Sequence, residues 1–278
     1  MFIIKASGQK EEFSPEKVKR SCLRAGASED LANDIVKRIN RQIRPGTSTR
    51  ELGRLIFRYL SKFQPSTASR YSLREALLRL GPKGFSFEKL VARLFQEEGY
   101  QTQTNQILQG KCVTHEIDVL LEKDKKFFTV ECKFHHVPGC YTEIRDVLYT
   151  WARFIDLKEG GLPFELSNVW LVSNTKFSEQ TKQYAACRGI NLLGWAYPGE
   201  KSLQRIIEEK YLYPITVLRT LEKKFEDRLI TEGIITCQDL LKLEPRTFQG
   251  KTGLDARKIS ILQKEASYIF KNTNIIKP

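Results

Sequence analysis

The chain has 278 residues, 41% of them hydrophobic, and a formal net charge of +13 from 46 Lys+Arg against 33 Asp+Glu. That length and apolar content support two or three packed domains, no run reaches membrane-span length, and the N-terminus lacks the form of a signal peptide. The basic excess points to nucleic acid or another anionic ligand, and six scattered cysteines without a Cys-x-x-Cys pair argue against a zinc site or disulfide framework and fit a reducing cytoplasm.

Residues 1–80 read as a small hairpin followed by four helices. Phe2-Ile3-Ile4-Lys5 and Lys10 to Phe13 form the hairpin around Ala6-Ser7-Gly8-Gln9. Ser14-Pro15-Glu16 is a helix start, with a capping hydroxyl, Pro at the first position and an acid in the first turn. That helix turns Val18, Cys22 and Leu23 inward and ends near Ala25-Gly26. Ser28 caps a second helix to Ile43, with Leu31, Ile35 and Ile39 on one face. Pro45-Gly46 breaks it, Ser48 or Thr49 caps a third, and a fourth runs from about Pro65 to Leu80. Lys5 and Lys17, with Thr49 at a helix N-terminus, supply what an anion site needs. No Gly-x-x-x-x-Gly-Lys-Ser/Thr loop is present, which argues against an ATPase.

Gly81-Pro82-Lys83-Gly84 reads as a linker. A helix follows to Gly99, with Phe87, Leu90, Val91, Leu94 and Phe95 at helical spacing and Glu88 in its first turn. Thr114 to His136 then reads as two strands around the polar turn Glu122–Lys126. It holds Asp118, Glu131 and Lys133. Glu131 and Lys133 are two apart, so they share a strand face, and a hairpin brings Asp118 to the same end. Two carboxylates beside one amine suit phosphodiester hydrolysis. Mg²⁺ takes one or two carboxylates and keeps several waters. Asp118 and Glu131 would hold it, with the backbone carbonyl of Cys132 as a further candidate ligand. Lys133 would orient or deprotonate water, or lie against the phosphate. The competing reading is a strand pair with an incidental salt bridge. Glu116, on the face of Asp118, is a candidate further ligand or base. Tyr141 to Leu157 reads as a helix with Ile144, Val147, Leu148, Trp151 and Ile155 as core. Lys111, Lys133, His135, His136, Arg145 and Arg153 form a candidate basic rim. A strand (Val169–Thr175), a helix (Ser178–Arg188) and a strand (Gly189–Gly194) follow. From about Tyr211 short helices return, with Leu229, Ile230, Ile234 and Ile235, and finally Ile259, Leu262, Ala266 and Ile269 on one face.

Three resemblances organise these elements. Residues 1–80, by Ile3-x-Lys5, Gly8, Phe13, Lys17, Gly46-Thr47-Ser48-Thr49 and Ala68-x-Arg70-Tyr71-x-x-x-Glu75, resemble the ATP-cone, the nucleotide-binding regulatory domain of ribonucleotide reductases. The resemblance implies that Lys5, Glu11, Lys17 and Thr49 contact a purine nucleotide, ATP or dATP, although Lys5-Ala6-Ser7-Gly8 lacks the family's arginine. Residues 85–207 resemble the Mrr-like branch of the PD-(D/E)xK restriction endonucleases. Asp118, Glu131 and Lys133 match the active-site triad and Glu88 the helix glutamate, while His115-Glu116 replaces the glycines of many relatives. Residues 211–272 look like a small helix-hairpin-helix-like domain without the usual Gly-x-Gly, for which DNA-phosphate contact and a structural or dimerising bundle are both open. The implied fold class is multidomain: a hairpin-plus-four-helix cone, a mixed-sheet α/β domain and a small all-α domain. The implied function is Mg²⁺- or Mn²⁺-dependent cleavage of DNA by a cytoplasmic, nucleotide-regulated homo-oligomer with no membrane partner. Two alternatives stand beside it: a nucleotide-sensing DNA-binding protein without catalysis, and a nucleotide-sensing oligomerisation protein.

Overall fold

A computed structural model of the chain describes residues 1–5, 7–80, 86–137, 139–244 and 253–271; the expected linker, Gly81–Gly84, lies outside them. The described chain divides into two compact units. One joins Met1–Arg79 to the segment from Tyr213 onward, and the other is continuous from Leu80 to Leu212.

The first unit opens with an antiparallel hairpin, β1 (Phe2–Ile4) and β2 (Lys10–Glu12), with Ile3 opposite Glu11. Helices α1 (Pro15–Arg24), α2 (Glu29–Gln42) and α3 (Thr49–Phe63) follow, capped by the hydroxyls of Ser14, Ser28 and Ser48, which accept backbone N–H groups at N3. Val18, Cys22, Ile35, Ile39, Ile56 and Leu60 build the core. Where one fourth helix was expected, two occur: α4 (Pro65–Tyr71) and α5 (Leu73–Leu80). The break is at Ser72, whose hydroxyl donates to the Ser69 carbonyl at 2.8 Å and whose N–H is shared between Ala68 and Ser69. Such back-bonding tightens and interrupts a helix.

The C-terminal segment, expected as a module by itself, packs on this cone. It contains α10 (Lys223–Thr231), α11 (Cys237–Leu241) and α12 (Ala256–Lys271). Arg70, 5% exposed, donates to the carbonyls of Ala25 at 2.6 Å and of Ile269 in α12 at 2.9 Å. The Thr216 hydroxyl donates to the Ala76 carbonyl at 2.7 Å, and Arg79 pairs with Glu226.

The second unit is built on a five-stranded mixed sheet, ordered β3-β4-β5-β7-β9. Helix α6 (Ser86–Glu97) leads to β3 (Gln101–Gln109), β4 (Thr114–Lys123) and β5 (Lys126–Lys133), which pair antiparallel. The turn between β4 and β5 is only Asp124-Lys125, both at positive φ, so the ladder runs further into the expected five-residue turn. β5 pairs parallel with β7 (Leu166–Ser173), and β7 with β9 (Asn191–Leu193). The crossovers are α7 (Ile144–Glu159) and α8 (Glu179–Arg188), flanked by a small parallel pair, β6 (Tyr141–Thr142) and β8 (Lys176–Phe177). A short α9 (Leu203–Glu209) closes the unit. Leu148, expected in the core, is 44% exposed. Val147 is buried as expected and Ile144, Trp151 and Ile155 pack against the same core, while Phe154 and Leu157 take the buried places that complete the stripe of α7. β3 was not anticipated: its alternation is carried by Thr and Gln on an edge strand, without the apolar period that marks a strand in sequence.

Candidate active site

Asp118 sits where the ladder is interrupted on both sides. Its neighbours Ile117 and Val119 pair with Gln106 and Thr104 of β3, but the residue between those two, Asn105, is left-handed (φ 54°). Toward β5, pairing ends at Val119 opposite Val130. Continuing that register by one residue sets Asp118 across from Glu131. With the ladder ended, the N–H of Cys132 donates to the Asp118 carboxylate at 2.6 Å. β5 itself stays paired to β7, with Glu131 opposite Leu171 and Lys133 opposite Ser173. One neighbour thus holds β5 while the other releases it, and the opened end displays the carboxylates.

Glu88 approaches from the first turn of α6, and its Oε2 is buried without a hydrogen-bond partner. Burial, then the charges of Asp118, Glu116 and Glu131, push Glu88 up to about 7. Burial followed by Asp118 raises Glu131, against the opposing pull of Arg153 and Lys133. Burial also raises Asp118, opposed by the Cys132 N–H. Burial is the leading cause at all three, and at Glu88 and Glu131 the neighbouring carboxylates add to it; buried carboxylates crowded in this way are the condition of a cation site.

Two cations are already engaged. Arg153 of α7 lies inside the site, not on a rim. It donates from Nη1 to Glu131 at 2.6 Å and to the Glu116 carbonyl at 3.0 Å, and its Nη2 bonds the Tyr149 hydroxyl. Lys133 pairs at 3.0 Å with Asp146, which is 8% exposed and also caps α7 by accepting the Glu143 N–H. Sequence reasoning missed Asp146; its signal is the Glu143-x-x-Asp146 spacing of a capping box. Among the described residues no three His, Cys, Asp or Glu form a group able to hold a metal ion by themselves. A cation that keeps most of its waters needs only one or two carboxylates, and the orphaned Glu88 oxygen and mutual repulsion fit such an ion.

In the first unit, Lys5 and Lys17 both pair with Glu11, at 3.3 Å for Lys5. The two lysines hold Glu11 below the usual carboxylate range. Thr49 opens α3 one residue after Ser48, which bridges Ile4 beside Lys5. Lys5, Glu11 and Lys17 are therefore linked through Glu11, and Thr49 follows the residue that bridges β1 on the edge opposite β2.

The chain is similar to a protein from Archaeoglobus fulgidus, with 41% identity over 179 residues that make up 64% of this chain and 99% of the relative. The chain belongs to the AF1548-like family. The crystal structure of AF1548, described as a protein of unknown function, is 39% identical with a TM-score of 0.60, over 68% of this chain and 99% of that one. Family models match an ATP cone domain at 1–77, a restriction endonuclease domain of the Mrr type at 81–195 and an AF1548-like C-terminal domain at 213–270. The AF1548-like chain is therefore a fusion of a cone, an Mrr-type domain carrying the site above, and a helical C-terminal domain. No helix among its described residues is long and apolar enough to cross a membrane.

Proposed function

We propose that this protein is a divalent-metal-dependent DNA endonuclease whose cone binds ATP or dATP. The observation that carries the reading is the opened end of β4 and β5, where Asp118, Glu131 and Glu88 converge beside Lys133. Asp118 and Glu131 would hold the ion, which supplies charge neutralisation and a more acidic water. Asp118 is fixed for that task by the Cys132 N–H. Lys133, positioned by Asp146, offers its charge to a phosphate oxygen. Arg153 neutralises Glu131 and keeps its carboxylate oriented. In the cone, Lys5 and Lys17 exchange Glu11 for phosphate, and the N-terminus of α3 at Thr49 adds its dipole.

One observation favours DNA binding without catalysis: Arg153 already occupies Glu131. The deciding experiment incubates the full chain with duplex, branched and single-stranded DNA, with Mg²⁺, Mn²⁺ or chelator. Cleavage that needs the ion and is lost in Asp118→Ala and Glu131→Ala, together with ion binding, is expected. Binding of DNA with no cut in any condition would instead establish the non-catalytic reading.

A further inference from the structure

Hydrolysis needs a proton acceptor for the attacking water, and Lys133 is already engaged with Asp146 at 3.0 Å. His135 lies two residues further on, and the structure spends an unusual number of buried polar groups on it. Asn174, 3% exposed, accepts the His135 N–H at 2.8 Å and donates to the His135 carbonyl at 2.9 Å. Its side chain thereby continues the β5–β7 pairing past Lys133 and Ser173. The ring Nε2 is 3.2 Å from the Thr142 hydroxyl. Thr142 in turn is 2.7 Å from the Ser173 hydroxyl and 3.2 Å from that of Thr175, and the latter two are 3.1 Å apart. All three hydroxyls are buried. Ser173 is also the strand partner of Lys133, so the ring lies on the Lys133 face of the sheet.

Counting protons favours the Nε2–H tautomer, which fills one more of these contacts than the alternative. Three hydroxyls have three protons for their three mutual contacts, the contact to His135 and a long 3.5 Å contact to the Lys176 carbonyl. The imidazole supplies a fourth from Nε2, which fills the contact to Thr142 and leaves the Nδ1 lone pair free; among the described residues Nδ1 has no partner.

We infer that His135, as the Nε2–H tautomer, accepts through Nδ1 the proton of the water that attacks the phosphodiester. This rests on the nuclease reading above. In the step, the water oxygen forms the new P–O bond as its proton passes to Nδ1, the P–O bond to the leaving oxygen breaks, and that oxygen departs with the bonding pair to be protonated by solvent. Burial keeps the imidazole below its ordinary value and therefore neutral at pH 7. The charged and titratable groups facing it are Asp146 and Glu143 of the α7 start, Lys133 and His136.

The test uses the full chain and has two readouts. Ring ¹⁵N–¹H correlation spectra, simplified by a total of three histidines and assigned with His135→Gln, should show an Nε2-protonated, Nδ1-unprotonated His135 at pH 7. Single-turnover cleavage with Mg²⁺ should fall on the order of 10²- to 10³-fold in His135→Ala, as expected of a lost general base. It should lose the acid-side inflection of its pH profile. Binding of DNA with Ca²⁺ and the melting temperature should hold, and added imidazole should restore part of the rate. An Nδ1-protonated ring, or a full rate in His135→Gln with the inflection kept, overturns the inference. Cleavage that needs Asp118 but tolerates His135→Ala sinks only the role of His135. Absence of cleavage by the wild type sinks the nuclease reading and the role together.

Discussion

Glu88 carries a charge that the fold makes costly, and the sign of its effect follows from its raised value. Its carboxyl, ordinarily near 4.5, titrates at about 7 in the folded chain. The folded state therefore binds the proton more tightly than the unfolded chain does. Its stabilising contribution is complete below about 4.5 and is lost as pH rises through 7. Glu88→Gln should flatten that loss and stabilise the metal-free Leu80–Leu212 unit at pH 8 by about 1–2 kcal/mol, a figure reduced for partial exposure. Denaturant unfolding at pH 5 and pH 8 measures it, and parallel pH slopes for the two proteins would refute it. Divalent ion should erase much of the difference, because its charge offsets both the burial of the carboxylate and the repulsion from its neighbours. Asp118, Glu131 and Lys133 were legible as a set because a period of two and a hairpin are local facts. The engagement of Lys133 by Asp146 and of Glu131 by Arg153 was not, since each partner comes from α7, across a crossover.

At the scale of elements, Arg70 ties three of them: α4, the end of α1 and the last helix, α12. Arg70→Met leaves the buried carbonyls of Ala25 and Ile269 without this donor, so a loss of roughly 2–4 kcal/mol is expected in the first unit. Gly26 reports on the same joint. It follows α1 at φ 90°, and a Cβ there would lie 2.6 Å from Arg70 Nη2. Gly26→Ala should therefore cost stability through both backbone strain and displacement of the guanidinium. Thermal melts of the two variants check both. The helices of the cone were readable from their caps and stripes: Ser14, Ser28 and Ser48 each precede a buried face. The Ser72 break was not, because a hydroxyl turning back to Ser69 competes with a helix that composition alone would continue.

For the whole molecule, the continuous unit should fold by itself and the split one should not. A fragment of residues 80–212 should unfold cooperatively, whereas residues 1–79 without the C-terminal segment should lose stability, since Arg70, Arg79 and Ala76 lose partners there. Circular dichroism of the two fragments decides, and a cone fragment as stable as the intact chain would overturn the expectation. A net charge of +13 predicts that DNA affinity falls steeply with salt, and anisotropy titrations from low to moderate salt read the slope. No binding even at low salt would favour the oligomerisation alternative. The sequence by itself determined the cone and Mrr-type resemblances, most of the helices and the candidate set Asp118, Glu131, Lys133 and Glu88, because caps, periodicity and motif spacing are properties of short stretches. Only the tertiary structure decided that the C-terminal segment joins the cone, that β3 edges the sheet, that both ladders are interrupted at Asp118, and that a buried hydroxyl cluster holds His135. These depend on pairings between residues far apart in the chain, where no local period or propensity carries the information.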